Sequence, residues 1–169
     1  MNFCRRCGAK LVANGERVFQ CVSGHTIYFN SAPAADVFLM TPDNKVWLAV
    51  RGEEPYKGSL DAPGGFVDNG ESFEEAAVRE LREELGLEPN DYEPLNYLTS
   101  SFSDSYCYEG ETTPVVTVFF YSRLKTNRPL KPADDVAAVR LFSIDDIDMN
   151  DINLNDVRHG LRKLQNMLQ

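Results

Sequence analysis

The 169-residue chain has no long apolar run; nothing in it approaches the roughly 20 consecutive apolar residues that a membrane-spanning helix needs. No membrane partner is therefore expected. The start, Met1-Asn2-Phe3-Cys4, is not a basic segment followed by an apolar one. No signal peptide is expected, and the cytoplasm is the default compartment. Basic residues are in deficit, with 17 Lys and Arg against 26 Asp and Glu and a net charge of −9. A deficit of this kind argues against broad nucleic-acid binding. It also makes a polyphosphate substrate unfavourable unless metal ions screen it. There are only four cysteines, and no repeats or low-complexity tracts. The length suits one domain, or one domain with a small appendage.

What the chain does have is concentrated between Gly65 and Leu87, in GFVDNGESFEEAAVRELREELGL. Ser72 is a good N-cap, and Glu75 three residues later completes a capping box. Phe73, Ala77, Val78, Leu81 and Leu85 recur at helical spacing. Gly86 stands where a left-handed C′ residue is expected. The stretch predicts a glycine loop feeding a helix. Glu80, Glu83 and Glu84 lie at i, i+3 and i+4 on one face of it. Like charges so spaced each cost about 0.2–0.5 kcal/mol, and the arginines 79 and 82 are outnumbered. A hard divalent cation relieves the repulsion, because Mg²⁺ favours carboxylate oxygens and keeps waters for chemistry. The alternative is a solvated acidic helix.

The spacing decides between them. Gly65 is followed after five residues by Glu71. Seven more residues lead to Arg79-Glu80, apolar Leu81, any residue, Glu83-Glu84, any residue, Gly86 and apolar Leu87. At about 5–7% average usage each, seven fixed residues coincide at below about one in 10⁸ starting positions. The pattern resembles the Nudix box, and the chain is similar to Nudix hydrolases over most of its length. That resemblance implies an α/β fold, an α/β/α sandwich around a mixed sheet. It implies Mg²⁺ or Mn²⁺ held by Glu80, Glu83, Glu84 and the carbonyl of Gly64. Arg79 would hold a glutamate in place, and Glu71 would hydrogen-bond within the box. The general base varies across the family between a box glutamate, here Glu80 or Glu84, and a carboxylate on a later loop. Asp135, with Asp134 beside it, stands where that later carboxylate falls. It is shorter than the usual glutamate, and a solvated turn is the other reading.

Residues 1–31 differ in character. Arg5, Arg6, Lys10 and Arg17 against Glu16 give them +3, leaving −12 for residues 32–169 out of the total of −9. They contain Cys4-Arg-Arg-Cys7 and Cys21-Val-Ser-Gly-His25. A Cys-x-x-Cys pair followed a dozen or so residues later by Cys-x-x-x-His reads as a tetrahedral zinc site. Gly8 suits a knuckle turn. Asn14-Gly15 marks a hairpin between Leu11-Val12 and Val18-Phe19. Such a ribbon is too small to fold without a staple, which structural Zn²⁺ would supply. A disulfide needs an oxidising compartment, and a redox motif needs a neighbouring βαβ unit. His25 stands where the more familiar fourth ligand is cysteine. A ribbon before a Nudix domain resembles the NADH pyrophosphatase branch. That branch also carries Ser-Gln-Pro-Trp-Pro-Phe-Pro-any-Ser, and the corresponding Ser100–Ser105 lacks the prolines and the tryptophan.

In the remainder, Ala32-Pro33 reads as a joint between a ribbon (1–31) and a main domain (32–169). Val37–Met40 and Lys45–Val50 read as strands around a Pro-Asp-Asn turn, Leu95–Phe102 as a strand, and Ser103–Thr113 as a polar loop. Val115–Tyr121 and Val136–Phe142 read as further strands, with Ser143 capping a short turn. Asn155 onward predicts an amphipathic helix, whose apolar side permits a homodimer. Arg51 is a candidate for a substrate phosphate or for a surface ion pair. Phe102, Tyr106 and Tyr108 are candidates for stacking on a base or for the core.

The expected reaction is metal-assisted hydrolysis of a diphosphate linkage in a nucleoside diphosphate derivative such as ADP-ribose or NADH, releasing a nucleoside monophosphate. Clearance of oxidised nucleoside triphosphates and a non-catalytic nucleotide sensor are the alternatives.

Overall fold

In the computed structural model, which describes residues 2–169 apart from the side chain of Ser105, the chain forms two units, Met1–Ser31 and Ala32–Gln169. In the first, β1 (Leu11–Ala13), β2 (Val18–Cys21) and β3 (Thr26–Tyr28) make an antiparallel sheet in that order. The expected hairpin is β1–β2, and Gly15 at its tip has φ +119°. Among the described residues, the buried core of this unit is Cys4, Leu11, Cys21 and Ile27, with Ala9 and Phe19 packed against it. A core that small needs a further staple.

The second unit is built on a mixed sheet. Its strands are β4 (Ala32–Met40), β5 (Lys45–Arg51), β6 (Leu60–Asp61), β7 (Gly64–Phe66), β8 (Asn96–Tyr108), β9 (Glu111–Arg123) and β10 (Val136–Ser143). The order is β10-β5-β4-β9-β8, with β6 paired to β5 and β7 to β4. The pairing of β4 with β9 is parallel, from Ala32↔Val115 to Met40↔Arg123. Two helices, α1 (Phe73–Leu85) and α2 (Asn155–Leu168), cover opposite faces. Alternation along β4 explains the two layers. Phe38 and Met40 belong to the core layer of Val157, Leu161 and Leu164 on α2, whereas Val37 and Leu39 belong to that of Ala77 and Leu81 on α1. On the α2 side, Phe38 stacks on Phe119 at 5.5 Å, and Gly160 lets the helix close onto both rings.

Three local readings are corrected. Ala32-Pro33 opens β4 instead of forming a joint. Ser103–Thr113 is mostly strand, because β8 and β9 continue to a two-residue turn at Glu109-Gly110. Both turn residues have positive φ (50° and 82°), the geometry that matches strand twist in tight hairpins. Ser143 precedes a short 3₁₀ turn but makes no side-chain cap.

Candidate active site

The helix carrying the acidic residues is fixed by its own ends. Ser72 accepts from the Glu75 N–H at 3.2 Å, and Glu75 accepts from the Ser72 N–H at 2.8 Å. Gly86 closes the helix at φ 62°. The apolar side, with Ala76, Ala77, Leu81 and Leu85, is buried against the sheet. This sets the rotation of α1 and aims Glu80 and Glu84 at the glycine pair of β7. A β-carbon on Gly65 would come within 2.5 Å of Glu80 Oε1. The Gly64 N–H donates to Glu84 Oε2 at 3.0 Å.

Arg79 ties the cluster together. Its Nε and Nη2 donate to the two oxygens of Glu71 at 2.8 and 3.0 Å. Its Nη1 donates to Glu80 Oε1 at 2.7 Å and Glu83 Oε2 at 3.0 Å, and Nη2 also donates to the Phe66 carbonyl at 2.9 Å. A guanidinium has five N–H donors, so all are in use. Glu71 in turn accepts from the Asp68 N–H at 3.0 Å. The hydrogen bonds from Arg79, and then that from Asp68, pull the Glu71 carboxyl below its ordinary range.

These groups open onto a cleft of ≈ 370 Å³ that β4, β7, α1, the start of α2 and the loop before β10 enclose. Arg51, Tyr106, Asp134 and Asp135 line it with Gly64 and the three glutamates. Arg51 resolves toward the ion-pair reading: Nη1 meets Asp61 Oδ2 at 2.7 Å, and Nε donates to the Pro55 carbonyl at 2.7 Å. It remains a fixed cation on the wall. Tyr106 packs edge-on to Phe66 at 5.5 Å. Asp135 is anchored through its carbonyl, which accepts from the Gly52 N–H at 2.7 Å. Phe102 is not brought to the cleft. Ser103, which lines it, pairs with Val115, and Phe102 pairs with Val116, so strand alternation turns Phe102 to the opposite face.

Three acids of the cleft lie outside the box and were not expected there: Asp36 on β4, Asp61 on β6 and Asp156 on α2. An acid inside the apolar run Ala34–Met40 was the signal for Asp36. No local signal marks Asp156, which only the packing of α2 brings in.

Burial without enough cations raises several carboxyls. Glu84 is pushed up to about 9, chiefly by burial, then by repulsion from Glu80, Asp135 and Asp61, with the Gly64 N–H in opposition. Glu80 is raised by burial, which outweighs its bond from Arg79. Asp61 is raised to about 6 by burial even with Arg51 beside it. Asp36 is raised well above the carboxylate range by burial and then by Asp61, Asp156, Glu84 and Glu80.

This donor set fits a hard cation. Glu80 Oε2, Glu83 Oε1 and Glu84 Oε1 have no hydrogen bond among the described residues. The raised carboxyls mark a negative potential that a cation would reverse.

In the first unit, the ligating atoms of Cys4, Cys7, Cys21 and His25 all lie within 4.8 Å of one another. Cys4 Sγ is 3.6 Å from His25 Nδ1, and Cys7 Sγ is 3.7 Å from Cys21 Sγ. Tetrahedral ligands at zinc bond lengths have edges of about 3.5 Å for S···N and 3.8 Å for S···S. No disulfide is formed by these cysteines. A tight turn follows each of Cys4 and Cys21: the Gly8 N–H donates to the Cys4 carbonyl at 2.8 Å, and the Gly24 N–H to the Cys21 carbonyl at 2.9 Å. Cys107 is exposed and apart from them in sequence, on β8.

A cation-ready acidic helix clasped by one arginine, over a mixed sheet between two helices, is the arrangement that the sequence resemblance implied. The NUDIX domain family matches residues 30–164, and the chain belongs to that family. It is 32% identical over 123 residues to an ADP-ribose pyrophosphatase of Methanocaldococcus jannaschii, covering 73% of this chain and 68% of that protein. It is 28% identical over 144 residues to the NAD-capped RNA hydrolase NudC of Pseudomonas aeruginosa, covering 85% of this chain but only 48% of that protein. The chain thus spans about half the length of the second relative. A solved NUDIX hydrolase from Nitrosomonas europaea superposes with a TM-score of 0.68 at 24% identity, over 98% of this chain and 91% of that one, which shows the shared fold. No helix among the described residues is long and apolar enough to cross a membrane.

Proposed function

We propose that the protein hydrolyses a diphosphate linkage in a nucleoside diphosphate derivative, with ADP-ribose or a dinucleotide such as NADH as substrate, releasing a nucleoside monophosphate. The observation that carries this reading is the intact acidic helix, its glutamates gathered by Arg79 at the mouth of a cleft. The relatives named for ADP-ribose and for NAD-capped RNA support it, because both substrates contain an adenosine diphosphate.

Glu80, Glu83 and Glu84, with the Gly64 carbonyl, would hold Mg²⁺ or Mn²⁺, whose charge offsets the diphosphate oxygens and lowers the pKa of a water. Arg79 keeps two of those glutamates aimed and has no donor left for substrate. The Asp135 carboxylate takes the proton of the attacking water. Arg51, fixed by Asp61, sets a cation against the diphosphate, and Tyr106 forms an aromatic wall. Little covalent work falls to the chain beyond positioning and charge. Residues 1–31 form a zinc ribbon, with Cys4, Cys7, Cys21 and His25 holding a structural Zn²⁺, and residues 32–169 form the hydrolase domain.

The test is a substrate panel with Mg²⁺: ADP-ribose, NADH, NAD⁺, FAD, diadenosine polyphosphates, and normal and oxidised nucleoside triphosphates, with Glu84→Gln as control. Release of AMP from ADP-ribose or NADH, reduced by orders of magnitude in the control, is expected. Preferential cleavage of an oxidised triphosphate would replace the substrate assignment. A nucleotide bound in stoichiometric amount and never cleaved would replace the enzyme with a sensor.

A further inference from the structure

The part of the cleft beneath the start of α2 contains a carboxyl that the hydrolysis does not use. Asp36 is 7% exposed and lines the cleft, yet among the described residues it has neither a hydrogen bond nor an ion pair. A buried acid without a partner is costly. The neighbouring charges do not relieve it. Asp61, Asp156, Glu84 and Glu80 are all acidic. The nearby cations are committed elsewhere, Arg51 to Asp61 and Arg79 to Glu71, Glu80 and Glu83.

Packing does not account for Asp36 either. The next two positions on the same face of β4 are Phe38 and Met40, both in the core. The chain even leaves room for the carboxyl, since a β-carbon on Gly64 would lie 2.5 Å from Asp36 Oδ1. The adjacent acid shows what a satisfied carboxylate looks like here. Asp156 accepts from Thr117 Oγ1 at 2.7 Å and from the Val157 N–H at 3.1 Å. Val115, Leu154 and Val157 supply apolar wall around the pair. Apolar walls with one or two fixed acceptors are how pockets orient a ring-bearing ligand.

We propose that Asp36 accepts a hydrogen bond from the nucleoside part of the substrate, an amino group of the base or a hydroxyl of the sugar, and so selects which nucleoside diphosphate derivative is cleaved. This rests on the hydrolase reading and assigns the specificity end of the same cleft. A cation shared with Glu80 Oε2 or Glu84 Oε1 is the competing partner, and the apolar wall of Val115, Leu154 and Val157 favours the nucleoside over it.

The experiment compares kcat and KM for ADP-ribose, its hypoxanthine counterpart and its 2′-deoxyadenosine counterpart, with Mg²⁺, in wild type and Asp36→Asn. Wild type is expected to favour ADP-ribose over one counterpart by about 10- to 100-fold. The disfavoured counterpart identifies the group that Asp36 reads. In Asp36→Asn that ratio collapses toward unity, and on the base arm it inverts, because the asparagine amide donates to the hypoxanthine carbonyl. Equal use of all three by wild type would overturn the proposal, as would an unchanged ratio in the variant. Asp36→Ala supplies the same comparison should the asparagine variant fail to fold. If wild type cleaves none of the three, the ADP-ribose assignment fails separately. Calorimetric binding of AMP, IMP and 2′-deoxy-AMP to wild type and variant then decides the Asp36 contact. Loss of a bound Mg²⁺ in Asp36→Asn, with nucleoside preference intact, would show a cation site instead.

Discussion

Glu80 Oε1 stands 2.5 Å from the point that a β-carbon on Gly65 would occupy. The glycine keeps open a space that the carboxylate fills, although the Gly65 backbone is not left-handed and would accept alanine. Gly65→Ala is therefore expected to fold normally while displacing Glu80, lowering turnover or Mg²⁺ affinity by about 10- to 100-fold. Gly64→Ala meets the carbonyl of Ala35 instead, at φ +152°. It is expected to cost about 1–3 kcal/mol of stability. Thermal unfolding and a Mg²⁺ titration of activity separate the two outcomes.

Arg79→Lys keeps the charge but has three donors where five are in use. The apparent Mg²⁺ affinity is expected to fall by about 10- to 100-fold, with a smaller change in melting temperature. A variant titrating like wild type would mean that the arginine is dispensable for aiming the glutamates.

The Glu84 carboxyl is raised from 4.5 to about 9 in the folded chain without metal. Folding therefore favours its protonated form. The stability it contributes is full below about pH 4.5 and is lost as pH rises toward 9. In Mg²⁺-free buffer, Glu84→Gln should lessen the fall in melting temperature between pH 5 and pH 9. Mg²⁺ uptake near pH 7 should release a proton, measurable by calorimetry in buffers of different ionisation enthalpy. The absence of any buffer dependence would contradict the raised carboxyl.

Metal analysis of protein purified without chelator should find one zinc per chain. Cys4→Ser should lose it, along with the ordered structure of residues 2–31, because the apolar core of that unit is so small. His25→Cys should keep it. Zinc-free, folded protein would remove the ribbon assignment.

Gly160→Ala places a β-carbon 2.9 Å from the rings of Phe38 and Phe119. A loss of about 1–3 kcal/mol is expected, with turnover little changed at temperatures where the variant stays folded.

The helix at the centre of the site was legible because its signals are local. Ser72, Glu75 and Gly86 mark its ends within fifteen residues, and the glutamate spacing fixes their common face. The cysteine and histidine cluster was legible for the same reason. Asp36 and Asp156 were not, since their meeting depends on α2 packing against strands far away in sequence. The Ser103–Thr113 segment was misread because most of its residues are polar, and Tyr106 and Tyr108 alone are too short an alternation to mark a strand. Phe102 was a candidate for stacking on a base or for the core, and nothing local decided its face. The register with Val116 puts it on the face away from the cleft.

The parallel pairing of β4 with β9 joins residues more than eighty positions apart, as Ala32↔Val115 shows. Both the capped helix α1 and the glycine pair lie inside that loop. Local propensity can start the helix early, and β4 and β7, close in sequence, give its buried side a first surface, but Phe120 of β9 joins that layer only when the loop closes. Closure of a long loop is slow because its entropy is lost before contacts repay it. The cleft wall that Val115 and Thr117 of β9 supply is therefore expected to form after the acidic helix, and a nascent chain that ends before β9 has that helix and β4 without the parallel partner strand.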